Sequence, residues 1–181
     1  MINQKYYIAY HDYKFMKNLL EELNKFLGKS ALATYAGGGP NLDPERAEKG
    51  MKELEYDNPN DKWYYKDSYG GFFQSWGREV VWYNQKPFWV QIYGGGMGLE
   101  HHSNTKFVHE TFDFLKKAMS AGNKVNSFQP RGPKVFQNGD WKYICNVTGD
   151  IKKFKGSEKI FYKGTIVFTH DFLGGLYVYK D

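Results

Sequence analysis

Glu79 and Glu158 are the residues of this sequence whose type and spacing say most about chemistry. They sit in matching patterns, Gly77-x-Glu79-x-Val81-Trp82-Tyr83 and Gly156-x-Glu158-x-Ile160-Phe161-Tyr162. Side chains alternate along an extended strand, so Glu79 shares a face with Val81 and Tyr83, and Glu158 with Ile160 and Tyr162. A carboxylate on such a face is either exposed at a strand end or buried with partners. Burial raises its pKa unless a cation or several donors hold the charged form. Three readings follow from the pair. Each glutamate accepts backbone or tyrosine hydrogen bonds and holds its strands in register. Alternatively, both face a pocket near a pseudo-twofold axis and bind a cationic or polyhydroxyl ligand. The third is acid/base hydrolysis, as of a glycosidic bond, which needs a defined carboxyl separation.

Asp67 extends the acidic set. Alternation puts Trp63, Tyr65, Asp67 and Tyr69 on one strand face, while the corresponding second-half positions carry Cys145 for Asp67 and Val147 for Tyr69. The polar cluster therefore exists in the first half alone. Trp82, Trp89 and Tyr93 supply either aromatic walls for a pocket or ordinary core. His101, His102, His109 and Glu110 form the one metal-like grouping, but their spacing matches no zinc arrangement, and no metal or other cofactor is expected. Cys145 and His170 are a nucleophile and a base on paper. A thiol midway along an apolar strand reads instead as inert and buried. The glycine clusters at 37–39 and 94–96 lack both the Gly-Lys-Ser/Thr ending of a phosphate loop and the dinucleotide spacing.

The elements that must position these residues are legible as a repeat. Trp63 aligns with Trp141, Tyr65 with Tyr143 and Gly71 with Gly149; Tyr93 aligns with Phe172 and Gly95-Gly96 with Gly174-Gly175. Each stretch, about 62–96 and 141–179, reads as strand, turn, strand, turn, strand. Neither can hide its own apolar face, so the two should join in one antiparallel sheet or a partly closed barrel. Phe15, Leu19, Leu23, Phe26 and Leu27 predict an amphipathic helix over about 13–27, with Asp12 as cap and Gly28 as stop. Val108, Phe112, Leu115 and Met119 predict another over about 105–121, started by Ser103 or Asn104 and ended by Gly122. Lys5 to Tyr10 reads as a short edge strand. Residues 36–61 read as mostly loop, with a short helix around Pro44 to Glu53 capped by Asp43. The expected fold is α+β, one domain over 1–181, two repeated three-strand meanders flanked by two main helices.

A resemblance is carried by Leu32-Ala33-Thr34-Tyr35-Ala36-Gly37, Leu54-Glu55-Tyr56, Tyr65-x-Asp67-Ser68-Tyr69-x-Gly71, Pro87-x-Trp89, Tyr93-x-Gly95 and Arg131-Gly132-Pro133. Together with the two glutamate motifs, Phe154 and Gly174-Gly175, these resemble a family of uncharacterised bacterial domains often fused behind a Cro/cI-type helix-turn-helix of XRE regulators. The resemblance spans about 19–178 and implies a fold unit and a context, with no activity attached. This chain has no room for a helix-turn-helix before its first helix, which argues against direct DNA binding and leaves the sensing half. Arg131, in that motif, joins Asp67, Glu79, Glu158, Tyr65, Tyr69, Trp82, Trp89 and Tyr93 as a ligand-binding candidate.

Bulk composition narrows the classes. The 181 residues include one cysteine, Cys145, so no internal disulfide can form, in keeping with a reducing compartment. No signal-like stretch opens the chain and no apolar run approaches the roughly 20 residues of a membrane span, so a cytoplasmic protein is expected. Net charge is +5, but the basic residues are spread rather than gathered as a nucleic-acid footprint. Aromatic residues make up 19% of the chain, so core and pocket alike should be ring-lined. The leading expectation is a small-molecule-binding or sensing module. A hydrolase using paired carboxylates and a protein-interaction or inhibitor domain are the alternatives.

Overall fold

The computed structural model describes residues 4–57, 62–122 and 128–180, with side chains from residue 14 onward. Helix α1 (Gln4–Ala33) leads into strands β1 (Lys52–Asp57), β2 (Trp63–Gly71), β3 (Gln74–Tyr83) and β4 (Lys86–Met97). A single 3-10 turn at Leu99–His101 and helix α2 (Thr105–Gly122) follow. The chain ends with β5 (Val135–Asn138), β6 (Trp141–Asp150), β7 (Lys153–Tyr162) and β8 (Thr165–Leu176). All eight strands form one open antiparallel sheet in the order β1-β2-β3-β4-β8-β7-β6-β5. Two four-stranded meanders thus meet edge to edge at β4 and β8, and the sheet does not close into a barrel.

Local chemistry explains the hairpins. Asn84 and Gln85 both adopt left-handed backbone (φ 48° and 65°), the mirror-type turn that matches strand twist, and Lys163-Gly164 does the same between β7 and β8 (φ 49° and 83°). Both meanders carry a register irregularity at equivalent places, between Val81 and Trp82 and between Ile160 and Phe161.

The helices cover one face, α1 over the first meander and α2 over the second. Phe26 of α1 stacks on Trp63 at 5.9 Å, and Phe114 of α2 stacks on Trp141 at 5.5 Å. Leu23, Val81, Trp89, Val108, Tyr143, Ile160 and Phe168 form the buried heart of that interface. Each such apolar side chain contributes roughly 1.5–3 kcal/mol on burial, which is what holds helices of modest propensity against the sheet. Asn104 caps α2 through its Oδ1, which accepts from the Phe107 amide at 3.1 Å.

Several expectations need correction. Lys5–Tyr10 is helical, not an edge strand, and Asp12 and Gly28 lie inside α1 rather than at its ends. Once the core-packed turns around Leu19 and Leu23 exist, adding a residue to the helix costs far less than starting a new element. The short helix at Pro44 to Glu53 is instead a set of turns, in which Asp43 Oδ1 accepts from the Glu45 amide. Residues 52–57 form β1 rather than loop, and β5 likewise adds an edge strand to the second meander. Among the described residues, no helix is long and apolar enough to cross a membrane, and no cluster of three potential ligands could hold a metal ion.

Candidate functional site

Register across the sheet assembles the site. On the helix-covered face, Asp67 of β2 stands opposite Glu79 of β3, which stands opposite Gln91 of β4. In the other meander Cys145 of β6 stands opposite Glu158 of β7, and Glu158 opposite His170 of β8. These side chains meet only because the turns fix the register, since a slip of one residue would send a strand's side chains to the other face.

Arg131, on the segment between α2 and β5, inserts between the two glutamates. Its Nε and one terminal nitrogen donate to Glu158 Oε1 at 3.0 and 2.8 Å, and the other terminal nitrogen reaches Glu79 Oε1 at 3.3 Å. The guanidinium also lies 4.9 Å from the Tyr93 ring centre, within cation–π range. Glu158 is fully engaged. His170 Nδ1 sits 3.1 Å from Oε1, and the Tyr143 hydroxyl donates to Oε2 at 2.6 Å. Glu79 accepts from Gln91 Nε2 at 3.2 Å and from the Tyr65 hydroxyl. Asp67 accepts from the Tyr93 hydroxyl at 2.8 Å.

The electrostatic consequence is a split. Burial pushes Glu79 up to about 8, the neighbouring Asp67 charge adds to this, and Arg131 does not offset the two. Burial also lifts Asp67 to about 6, against the opposing pull of the Tyr93 hydroxyl and Arg131. For Glu158 burial acts the same way, but the Arg131 charge and then the His170 hydrogen bond overcome it and hold the carboxyl down to about 2. Arg131 stays charged because Glu158 and Glu79 outweigh its own burial. Cys145 is buried, and burial followed by the Glu158 charge pushes its thiol up to about 12, so it is inert as a nucleophile.

Above this layer lies a cavity of about 220 Å³ between the sheet and the two helices. That exceeds the roughly 150 Å³ that admits benzene in an engineered core. Of the sequence-derived candidates, Asp67, Glu79, Tyr65, Tyr69, Trp89, Tyr93 and Arg131 line it. Lys52, Gly71 and Asp113 on its rim are exposed, so it reaches solvent. Tyr69 meets Tyr35 edge to face at 6.3 Å over one side. Glu158 does not line the cavity; it stands behind Arg131 and His170. Trp82 is also absent from it. Val81 points to the helices, so alternation turns Trp82 to the opposite face, where it packs on Tyr64 at 5.2 Å.

Ser75, Gln91, Gln129, Tyr143 and His170 are among the cavity or network residues that escaped the sequence reading in these roles. Gln91 and His170 could have been found by pairing each strand with its neighbour around the two glutamates. Gln129 could not, because nothing in its local pattern marks it. Among the described residues, no hydrogen-bond partner reaches its buried Oε1, which leaves a further acceptor at the cavity.

No curated protein and no solved structure matches the chain. A family model described as Domain of unknown function (DUF5680) matches residues 67–177, beginning at Asp67 and taking in Glu79, Arg131 and Glu158. Because that match spans more than half of the 181 residues, the chain belongs to this DUF5680 family.

Proposed function

We propose that this domain binds a small molecule carrying a positive charge and an apolar or planar body, in the cavity floored by Asp67 and Glu79. The observation that carries the reading is the commitment of Arg131. Its two shorter bonds go to Glu158, so Asp67 and Glu79 face the cavity as buried acids whose own burial outweighs their share of cation. Once ionised, the two acids are acceptors only, as is the open Gln129 Oε1, which suits a ligand that brings donors, as an ammonium or amidinium does. Tyr35, Tyr65, Tyr69 and Tyr93 supply the aromatic faces that attract such a cation. The resemblance to domains fused behind helix-turn-helix regulators is consistent with a sensing use of the pocket.

A cation would favour the ionised acids, so binding should release protons and strengthen as pH rises toward about 8, where Glu79 ionises. Calorimetric titration with benzylamine, benzyl alcohol and glucose tests this. Benzylamine should bind with a heat that changes with buffer ionisation enthalpy, benzyl alcohol should not bind, and Asp67→Asn or Glu79→Gln should weaken benzylamine at least tenfold. Binding of glucose or benzyl alcohol in preference to the amine would overturn the cationic assignment. Hydrolysis by paired carboxylates has less support, because every oxygen of Glu158 is already engaged and Arg131 occupies the space between the pair.

A further inference from the structure

Ser75 and His170 belong to strands that do not touch, yet their side chains meet. Ser75 of β3 stands opposite Gly95 of β4, and Gly95 opposite His170 of β8. Two strand spacings amount to about 9.6 Å, a gap normally filled by the middle residue's side chain. Gly95 has none. A Cβ there would fall 2.3 Å from the Thr169 carbonyl and 3.2 Å from His170 Cδ2, on a backbone at φ +133°. Across the open space Ser75 Oγ lies 3.3 Å from His170 Nε2. His170 Nδ1 in turn lies 3.1 Å from Glu158 Oε1.

Proton placement follows from Glu158. Its carboxyl is ionised, held by Arg131, and an ionised carboxylate only accepts. Nδ1 must therefore donate to it. In the neutral ring Nε2 is then the acceptor, and the Ser75 hydroxyl is the donor. Hydroxyl, imidazole and carboxylate stand in the order of a serine nucleophile, its base and the group that orients the base. Ser75, His170 and Arg131 line the same solvent-reaching cavity, so a substrate small enough to enter meets all three.

We propose that Ser75 is a nucleophile activated by His170, with Glu158 as positioning residue, and that it takes the acyl group of small carboxylic esters. Oγ would bond to the ester carbon as its proton passes to His170 Nε2. The carbon–alkoxide bond then breaks, and the alkoxide leaves as an alcohol with that proton. Water next attacks the seryl ester, His170 accepts its proton and returns it to Oγ, and the carboxylic acid departs. Arg131 is a fixed positive charge lining the same cavity. This activity does not depend on the cavity's taking a cation.

Diisopropyl fluorophosphate is a direct probe, since Oγ–P bond formation expels fluoride and hands the hydroxyl proton to His170. Intact mass and peptide mapping should show one adduct, at Ser75, absent from Ser75→Ala. In folded His170→Gln, checked by near-ultraviolet circular dichroism, the labelling rate should fall at least about a hundredfold, the usual contribution of a general base. Ser75→Cys gives an independent reading through iodoacetamide at pH 7. Its new thiol should alkylate at least about tenfold faster than free cysteine, while buried Cys145 stays unmodified. An unlabelled Ser75 in the folded protein, a rate unchanged by His170→Gln, or alkylation of the Ser75→Cys thiol at the free-cysteine rate would each overturn the proposal.

Discussion

The two meanders put the same backbone to different chemical use. Both place a glutamate on the third strand, counting from the outer edge, and both give it a tyrosine hydroxyl, Tyr65 for Glu79 and Tyr143 for Glu158. Both lay an aromatic ring over a glycine, Tyr93 over Gly77 and Phe172 over Gly156. Their flanking partners differ. Glu79 stands between Asp67 and Gln91, whereas Glu158 stands between Cys145 and His170. A single arginine cannot be twofold symmetric, and Arg131 gives Glu158 the shorter pair of bonds. One glutamate is consequently a fixed anion and the other a group near its titration point, at about 2 and about 8. Equivalent strand positions do not confer equivalent protonation; the neighbours decide it.

Arg131 is the cation both glutamates share, so its removal should have the largest consequence. Arg131→Met should cost about 3–5 kcal/mol in urea unfolding, because Glu158 is left buried and charged without its guanidinium. Adding Glu158→Gln to that variant should recover much of the loss, and adding Glu79→Gln should recover much less. Equal rescue by both would show that Arg131 serves the two glutamates alike.

A gentler comparison uses pH, with opposite signs on the two sides. Glu79 has a folded pKa above its ordinary value of 4.5. Its contribution is therefore complete below about 4.5 and fades as pH climbs toward about 8. Glu158 is displaced downward, so its contribution is complete above about 4.5 and is lost as pH falls through about 2. Each tenfold change in an ionisation constant corresponds to about 1.4 kcal/mol, so either slope can reach a few kcal/mol. Urea midpoints from pH 3 to 9 should show Glu79→Gln flattening the decline between about pH 4.5 and 8, leaving a smaller slope from Asp67 below about 6. Glu158→Gln should flatten the acid limb instead. Identical profiles for the two variants would contradict the split.

What the sequence made legible here follows the range of the interactions involved. Glu79 and Glu158 were found because strand alternation and glycine turns are local signals, and both act within a few residues. The same rule put Tyr65 and Asp67 on one strand face, and applied to β3 it sends Trp82 to the face opposite Val81. Arg131 could be singled out only through its motif, because its partners lie 27 and 52 residues away and no periodicity links them. The meeting of Ser75 with His170 spans 95 residues and exists only because β4 pairs with β8 in one register. From Glu53 onward strand β1 alternates charged and less polar residues, Glu53-Leu54-Glu55-Tyr56-Asp57, but follows a glycine- and proline-rich stretch that reads as loop.

A single hydroxyl separates the equivalent rings Tyr93 and Phe172. Tyr93→Phe gives the first meander the residue that the second already has at Phe172. The ring keeps its place over Gly77, and only the hydroxyl that donates to Asp67 at 2.8 Å is lost. A buried carboxyl deprived of one donor should cost about 1–2 kcal/mol, and Asp67 should become still harder to ionise. The reciprocal change, Phe172→Tyr, adds a hydroxyl on the side where Cys145, a weak acceptor, replaces the acid. It should therefore destabilise rather than improve that half. Urea midpoints near pH 7 for the two single variants decide the matter. If Tyr93→Phe cost nothing while Phe172→Tyr stabilised, the hydroxyl would belong to neither acid, and the polar asymmetry of the meanders would have to rest on Arg131 alone.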